Sequence, residues 1–403
     1  MQTLSSFLGR MDTPGSEYYR TTQKLMSIIG LSPYKCSKYT RFWNAFIIIF
    51  LCSGVMVQLL ALFTKDMNWK ELVQTFSYFT ISLSYVLKYL TFLIHQDTEK
   101  EIYDRIRNDW IMLTNKEELR IMHKYSSVTR TAIICFTFII CPSLMVLIFD
   151  ILKSSILDIL FPLNYTCPRT FPITMEYFVD QQKYFYLIAA HIIIVNTFGA
   201  IILLSTEVSA VTLVQHICGL YKIVSYRIDH TFVSNIPGLS PAERNIVVHR
   251  RIVSLVNLHK RVKEYVSILQ KNYTTTYFLL FVFGIVVCTL SAPRFVKAIM
   301  NNRELDELFT FLFFTCGILC YEFIANHFAQ EIIDHSSHIL IHVYNTEWYK
   351  ISLAEQKLLL ILMQRCLKNE SIVLGGIITA SHNGFLLGIQ TSFSYFMLIY
   401  SID

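Results

Sequence analysis

The chain has 403 residues, of which 53% are hydrophobic and only 16% charged. A soluble globular chain carries about 25% charged residues, so this composition excludes a soluble enzyme and describes a polytopic membrane protein. The formal net charge of +6 says little until the positive residues are placed along the chain. The ten cysteines form no Cys-x-x-Cys pair and no Cys/His metal spacing, so neither a zinc site nor a disulfide framework is expected.

Residues 1–41 read as a polar N-terminal segment ending in Lys35, Lys38 and Arg41. The first apolar span is 42–63 and the second 69–94, with Lys88 near its far end, where a long side chain can snorkel to the interface. Residues 95–130 read as a charged loop with a helix start at Thr114-Asn-Lys-Glu117. Span three, 131–152, contains Pro142 and is expected to kink there. The loop 153–182 holds the sequon Asn164-Tyr-Thr166. Span four begins near Lys183, and its helical pattern runs past Tyr221 into a more polar stretch that is expected to project beyond the bilayer.

Ser240-Pro-Ala-Glu243 is a capping box with Pro at the first helical position. The helix it opens is amphipathic, with Val248, Ile252, Leu255, Val262 and Val266 on one side, and it enters span five at 276–299. Span six, about 308–328, continues as a polar helix through His342. Ser352-Leu-Ala-Glu355 reads as a second capping box before the helix 356–366. Residues 372–402 contain no Lys, Arg, Asp or Glu and exceed the roughly 20 residues needed to cross a bilayer, which makes them span seven.

At helical spacing Asn383, Gln390 and Ser394 fall on one stripe of that last span, and Leu398 and Ile402 continue it. A polar stripe ending in an aliphatic pair suits a water path closed by a hydrophobic constriction. The same polar groups equally suit hydrogen bonds to a neighbouring helix.

The N-terminal segment and the loops after spans two, four and six carry 25 Lys and Arg residues, against 8 in the loops after spans one, three and five. The positive-inside rule therefore puts the N-terminus in the cytoplasm and Asp403 outside. Asn164 then falls outside, where glycosylation is possible, while the sequons at Asn272 and Asn369 fall inside. This orientation is opposite to that of a metabotropic seven-helix receptor, and no Asp-Arg-Tyr or Asn-Pro-x-x-Tyr motif follows span three or lies in span seven. A transporter is poorly matched as well, because no paired Gly/Pro-interrupted spans and no midplane Asp, Glu or Arg stand out.

Several stretches resemble the insect odorant receptors. They are Tyr344-Asn-Thr-Glu-Trp-Tyr349, the run LLLILMQRC at 358–366, and the ending Thr391-Ser-Phe-Ser-Tyr-Phe-Met397. Glu176-Tyr-Phe-Val-Asp-Gln181, Gln215-His-Ile-Cys218 and Asn108-Asp-Trp110 are similar to the family too. The likeness covers nearly the whole chain and is strongest in its C-terminal third; the sibling gustatory receptors share the architecture, but this set of motifs points to the odorant branch.

The resemblance implies an all-α membrane protein of seven transmembrane helices, with helices 4–7 extended into a cytoplasmic anchor domain. Its parts would be a cytoplasmic segment (1–41), helices 1–6 with the ligand-binding bundle (42–351), and an anchor helix with a pore-lining helix (352–403). It further implies an odorant-gated, non-selective cation channel in the plasma membrane of a sensory neuron dendrite. The subunit would sit in a heterotetramer with the odorant receptor co-receptor. The family's gate positions fall on Leu398 and Ile402, and Asn383, Gln390 and Ser394 would line the pore. The pair Gly375-Gly376 and the polar His382 and Asn383 depart from the family's pattern there.

Family members bind a small volatile, apolar ligand in the outer half of the bundle, between spans two, three, four and six. By that threading the expected pocket residues are Phe76, Phe79, Thr80 and Leu83 on span two, and Ser143 and Leu147 on span three. Tyr184, Ile188 and His191 on span four join them, with Phe311, Phe314, Thr315 and Ile318 on span six. Ordinary helix packing is the alternative for each. His191 is either a donor to a ligand carbonyl or hydroxyl, or a satisfied interhelical histidine. No nucleophile, base and orienting group recur together, so no catalysis is expected, and neither is a cofactor, a metal or a nucleic-acid partner. Membrane lipid is the other expected contact.

Overall fold

The computed structural model describes residues 15–34, 37–160, 169, 171–231, 240–301 and 305–402. Within them the chain is almost wholly helical. The helices are α1 (Ser16–Ile28), α2 (Lys38–Thr64), α3 (Trp69–Ile94), α4 (Gln96–Met112), α5 (Lys116–Leu160), α6 (Phe185–Thr231), α7 (Pro241–Asn301), α8 (Leu305–Tyr344), α9 (Leu353–Cys366) and α10 (His382–Ile402). A short 3-10 turn (Trp348–Lys350) precedes α9, and a hairpin of β1 (Val373–Leu374) and β2 (Ile378–Thr379) precedes α10.

Five helices, α2, α3, α5, α6 and α7, contain stretches long and apolar enough to cross a membrane, as in a multi-pass membrane protein. The sixth and seventh expected spans fall on α8, whose side chains over 305–314 are not described, and on α10. Asn164 lies outside the described residues.

Helix starts follow local capping chemistry. Asn68 accepts from the Glu71 amide at 2.9 Å, and Glu71 accepts from the Asn68 amide at 3.4 Å, which fixes the start of α3 at Trp69. Ser240 and Glu243 form the expected box before α7: Glu243 accepts from the Ser240 amide at 2.9 Å, and Ser240 accepts from the Glu243 amide at 3.4 Å. The expected box at Ser352 does not form. Ser352 still precedes α9, but its side chain makes no capping bond. Glu355 instead turns inward, buried, and accepts from His249 of α7 at 3.1 Å. A cross-helix partner outcompetes the local one.

The expected charged loop at 95–130 is helical almost throughout. Helix α4 has no long apolar run to announce it, yet Glu99, Ile102, Tyr103, Ile106, Asp109 and Trp110 form one buried face at helical spacing. Helix α5 then starts at Lys116, with Asn115 accepting from the Glu117 amide at 2.9 Å, and continues through Pro142 to Leu160. Part of the N-terminal segment is also structured, because α1 packs on α4. Trp110 stacks on Tyr18 with centroids 6.3 Å apart and donates its indole N–H to Tyr19 at 2.9 Å. Gly15, in the left-handed region at φ 82°, lies so close that an added Cβ would sit 2.4 Å from the indole.

The long α6 is the central post, packing against α5, α8, α7, α3, α2 and α1. Its more polar second half is the most thoroughly buried part of the chain, since Ser205–Tyr221 is buried at every position but Ala210. Several of the polar side chains there have a partner on another helix, although the buried Tyr221 hydroxyl has none among the described residues. Ser209 meets Tyr103 at 2.9 Å, His216 meets Asp109 at 3.0 Å, and Gln215 donates to Glu331. Arg227 grips Glu118 of α5 with two bonds of 2.7 and 2.8 Å. Such pairing is what allows polar side chains inside a core.

The expected span 372–402 is not one helix. Leu374 accepts from the Ile377 amide at 3.0 Å, and Gly375 and Gly376 between them have φ of 57° and 74°, the signature of a type I′ turn. Gln270 of α7 flanks β1 like a further strand, donating to the Val373 carbonyl at 2.8 Å and accepting from its amide at 2.9 Å. Ser381 then caps α10 by accepting from the Gly384 amide at 3.0 Å. The 21 residues of α10 still span about 30 Å, the thickness of a bilayer's hydrocarbon core.

Candidate functional site

Helices α3, α5, α6, α7 and α8 enclose a cavity of about 490 Å3. Its walls are mostly apolar and aromatic, with Tyr78, Tyr85, Phe136 and Phe283 among them, and a few polar groups punctuate them. Those are the proportions of a small-molecule site.

Of the residues expected to form the pocket, Thr80, Ser143, Leu147 and Ile318 line this cavity. Thr315 lines a neighbouring space of about 230 Å3 between α7, α8 and α10. Phe76, Phe79 and Leu83 are half-buried on α3 away from the cavity lining, and Tyr184 is exposed beside Lys183. Ile188 is buried in a cluster with Ile151, Ile173 and Met175. His191 is a satisfied interhelical histidine, bonded to Ser53 of α2 at 2.9 Å and to Tyr177 at 2.7 Å. The side chains of Phe311 and Phe314 lie outside the described residues. Helix α7 contributes Leu280, Phe283, Gly284 and Val287, which the span-by-span reading did not include.

One end of the cavity is charged. Lys88 of α3 is only 2% exposed and pairs with Glu207 of α6, which is 3% exposed, so it does not snorkel. Tyr321 donates to Glu207 at 2.8 Å and Tyr277 at 3.3 Å, and the Lys88 ammonium sits 4.4 Å from the centre of the Tyr277 ring. Glu322 of α8 adjoins this group and lines the cavity as well. Acidic side chains therefore do occur inside the bundle, contrary to the reading that none stood out. The available signal was one Lys and two Glu inside long apolar helices, a combination that implies partners.

A smaller space of about 90 Å3 continues from this cluster towards α4, lined by Glu99, Tyr103, Ser209, Tyr273, Tyr277, Tyr321 and Glu322. Tyr273 donates to Glu99, whose carboxyl is pushed up to about 7 by burial, although the bonds from Tyr273 and Ser209 oppose that rise. A ladder of buried polar groups thus connects the large cavity to the Glu99 end of α4.

On α10 Asn383, Gln390, Ser394 and Leu398 are all exposed, while Gly384 and Gly388 are buried on the other side. An added Cβ at Gly388 would sit 2.8 Å from Phe281, and Ser392 donates to the Ile285 carbonyl at 3.4 Å, so α10 docks on α7 through that face. Ser394 bonds to the Gln390 carbonyl at 2.8 Å, within its own helix rather than to a neighbour. Ile402 ends the helix, but its side chain is not among those described.

The family model described as 7tm Odorant receptor matches residues 68–393. Odorant receptor 10 of Aedes albopictus is 25% identical over 150 residues, a stretch covering 37% of this chain and 39% of that protein. The solved insect olfactory receptor OR5 of Machilis hrabei in complex with eugenol superposes with a TM-score of 0.74 at 13% identity, covering 96% of this chain and 98% of that one. The same receptor in a second structure gives 0.71 at 14% identity with the same coverage. The model match spans most of the helical bundle, and the chain belongs to the 7tm odorant receptor family.

Proposed function

We propose that the chain is the odorant-sensing subunit of a non-selective cation channel, in which a volatile ligand in the 490 Å3 cavity promotes opening. The observation that carries this reading is the juxtaposition of two features on α8. One side of that helix lines the cavity through Ile318, Tyr321 and Glu322. Thr315, Ile318, Leu319 and Glu322 also line the space against α10. A ligand that fits one arrangement of α8 better than another therefore bears on α10 directly. Its differential affinity for the two arrangements is all the free energy it can contribute to opening.

In this reading the chain crosses the plasma membrane seven times, with its N-terminus in the cytoplasm, as the distribution of Lys and Arg supports. The inner parts of α6, α7 and α8, with α9, form an anchor through which subunits associate. The uncovered stripe of α10 faces a central pore, with Asn383, Gln390 and Ser394 along the water path and Leu398 and Ile402 as its constriction. The odorant receptor co-receptor supplies the other subunits. The eugenol complex of the Machilis hrabei receptor supports a small volatile ligand for this chain too. Aromatic volatiles are therefore the first panel to try.

Whole-cell current during such a panel tests the reading, with the chain expressed alone and with the co-receptor. Fast inward cation current only in the paired cells is the expected result. Surface-expressed complexes that bind odorant but pass no current would overturn it.

A further inference from the structure

Glu322 is the one acidic group at the charged end of the cavity with no protein donor among the described residues. Three polar groups that line the same spaces are committed to Glu207: the Lys88 ammonium by ion pairing, and the Tyr277 and Tyr321 hydroxyls by hydrogen bonds of 3.3 and 2.8 Å. Glu322 lines the large cavity, the smaller one and the space beside α10. Its carboxyl lies close against α7, since an added Cβ at Gly284 would sit 3.0 Å from Glu322 Oε1. A carboxyl in apolar surroundings is strongly favoured by any donor that reaches it. The rest of the wall offers a ligand mainly apolar and aromatic surface.

We propose that Glu322 is the polar anchor of the large cavity and selects ligands that carry a hydrogen-bond donor, a hydroxyl or an amine, on an apolar body. This deepens the reading of that cavity as the ligand site and rests on it. An isomeric ether fills the same volume but leaves Glu322 without a partner. It is disfavoured for the same reason that sites built to hydrogen-bond a substrate reject analogues lacking the group.

The test uses three probes on the purified full-length chain in lipid nanodiscs, read by titration calorimetry against empty discs. They are 2-phenylethanol, its isomer benzyl methyl ether, and 2-phenylethylamine. Expected is binding of the alcohol or the amine tighter than the ether by about tenfold or more, the scale of one hydrogen bond to a charged group. A tighter amine means that Glu322 acts as an anion, and a tighter alcohol that it acts as a neutral partner; both support the proposal.

Glu322→Leu should bring the probes together by weakening the donor-bearing ones, with the ether little changed. Glu322→Gln, which keeps an acceptor of the same shape, should retain more of the alcohol preference than of the amine preference. Gly317→Leu serves as the cavity-filling control, because an added Cβ there meets nothing within 4 Å and Gly317 lines the cavity. It should weaken all three probes.

A wild type that binds neither the alcohol nor the amine more tightly than the ether overturns the proposal, as does a preference that survives Glu322→Leu. Affinities untouched by Gly317→Leu would move the ligand out of this cavity, and the proposal would fall with it. Binding of none of the probes overturns it too. Because the assay reads binding without current, failure of the channel reading leaves these outcomes separately legible.

Discussion

The Tyr265 hydroxyl donates to the Asp109 carboxylate across 2.7 Å, and this contact joins helices whose residues lie 156 positions apart. Asp109 also accepts from His216 at 3.0 Å and from Arg261 at 2.5 Å, so α4, α6 and α7 meet at one carboxylate that is 3% exposed. Burial alone pushes the Asp109 carboxyl up, but the bonds from His216 and Tyr265 and the charge of Arg261 outweigh it and hold it below the usual carboxylate range.

Asp109→Ala leaves the His216 ring and the Tyr265 hydroxyl buried without that acceptor, at a cost of about 3 kcal/mol. The thermal midpoint of the purified protein should fall accordingly at pH 7. A group held below its unfolded value stabilises the fold above that value and loses the effect on acidification. The gap between wild type and variant should therefore be full at pH 7 and close below about pH 4. A gap that persists unchanged into acid would sink the argument.

Glu99 has the opposite sign. Its carboxyl titrates at about 7 in the fold, above its ordinary 4.5, because it is buried. It favours the folded state below about pH 4.5, and that contribution is lost as pH rises through about 7. Glu99→Gln keeps an acceptor for Tyr273 and removes the titration. The substitution should raise the thermal midpoint at pH 8, by a stabilisation on the order of 3 kcal/mol, and have little effect at pH 4. An equal effect at both pH values would show that the charge is not the cause.

The Lys88–Glu207 pair is testable by a double-mutant cycle. Lys88→Met strands a carboxylate that is 3% exposed, and breaking a buried pair from one side costs about 3–5 kcal/mol. Adding Glu207→Gln should restore most of the loss, because a neutral amide accepts from one of the Tyr321 and Tyr277 hydroxyls and donates to the other. Surface expression and thermal midpoint both report it. If the double variant is no better than Lys88→Met, the lysine stabilises through packing rather than charge.

These residues show what a single sequence discloses and what it hides. Helix starts governed by neighbours in the chain were readable: the Ser240–Glu243 box opens α7, and the apolar run beginning at Trp69 matches α3 to the residue. Glu355 departs from that local rule, since the same pattern at Ser352 lost its glutamate to His249, 106 residues away. Lys88 is paired with a residue 119 positions distant, a relationship no window along the chain can contain. The hairpin before α10 was hidden because Val373, Leu374, Ile377 and Ile378 are as apolar as the helix that follows; only the two adjacent glycines marked the turn. Of the expected pocket, Thr80, Ser143, Leu147 and Ile318 line the cavity, while His191 does not, because helical periodicity gives a face but not which neighbour that face meets.

The exposed stripe of α10 carries the last prediction. Leu398 is 56% exposed in the single chain, and no polar side chain bonds across it. If four such helices surround a pore, rings of Leu398 and Ile402 repel water from its narrowest part and hold it shut without any charged latch. Leu398→Ser replaces an isobutyl group with a hydroxymethyl, widens the ring and lets it wet. Resting cation current should rise in cells expressing the complex, and odorant should add proportionally less on top of it. Ser394→Ala, one helical turn away on the same stripe, removes a hydroxyl that bonds only to its own helix and should leave resting current near the wild-type level. Unchanged resting current from Leu398→Ser, with surface expression confirmed, would place the constriction elsewhere on α10. A rise from Ser394→Ala of the same size would mean that any change on this face disturbs closure, and that Leu398 is no special ring.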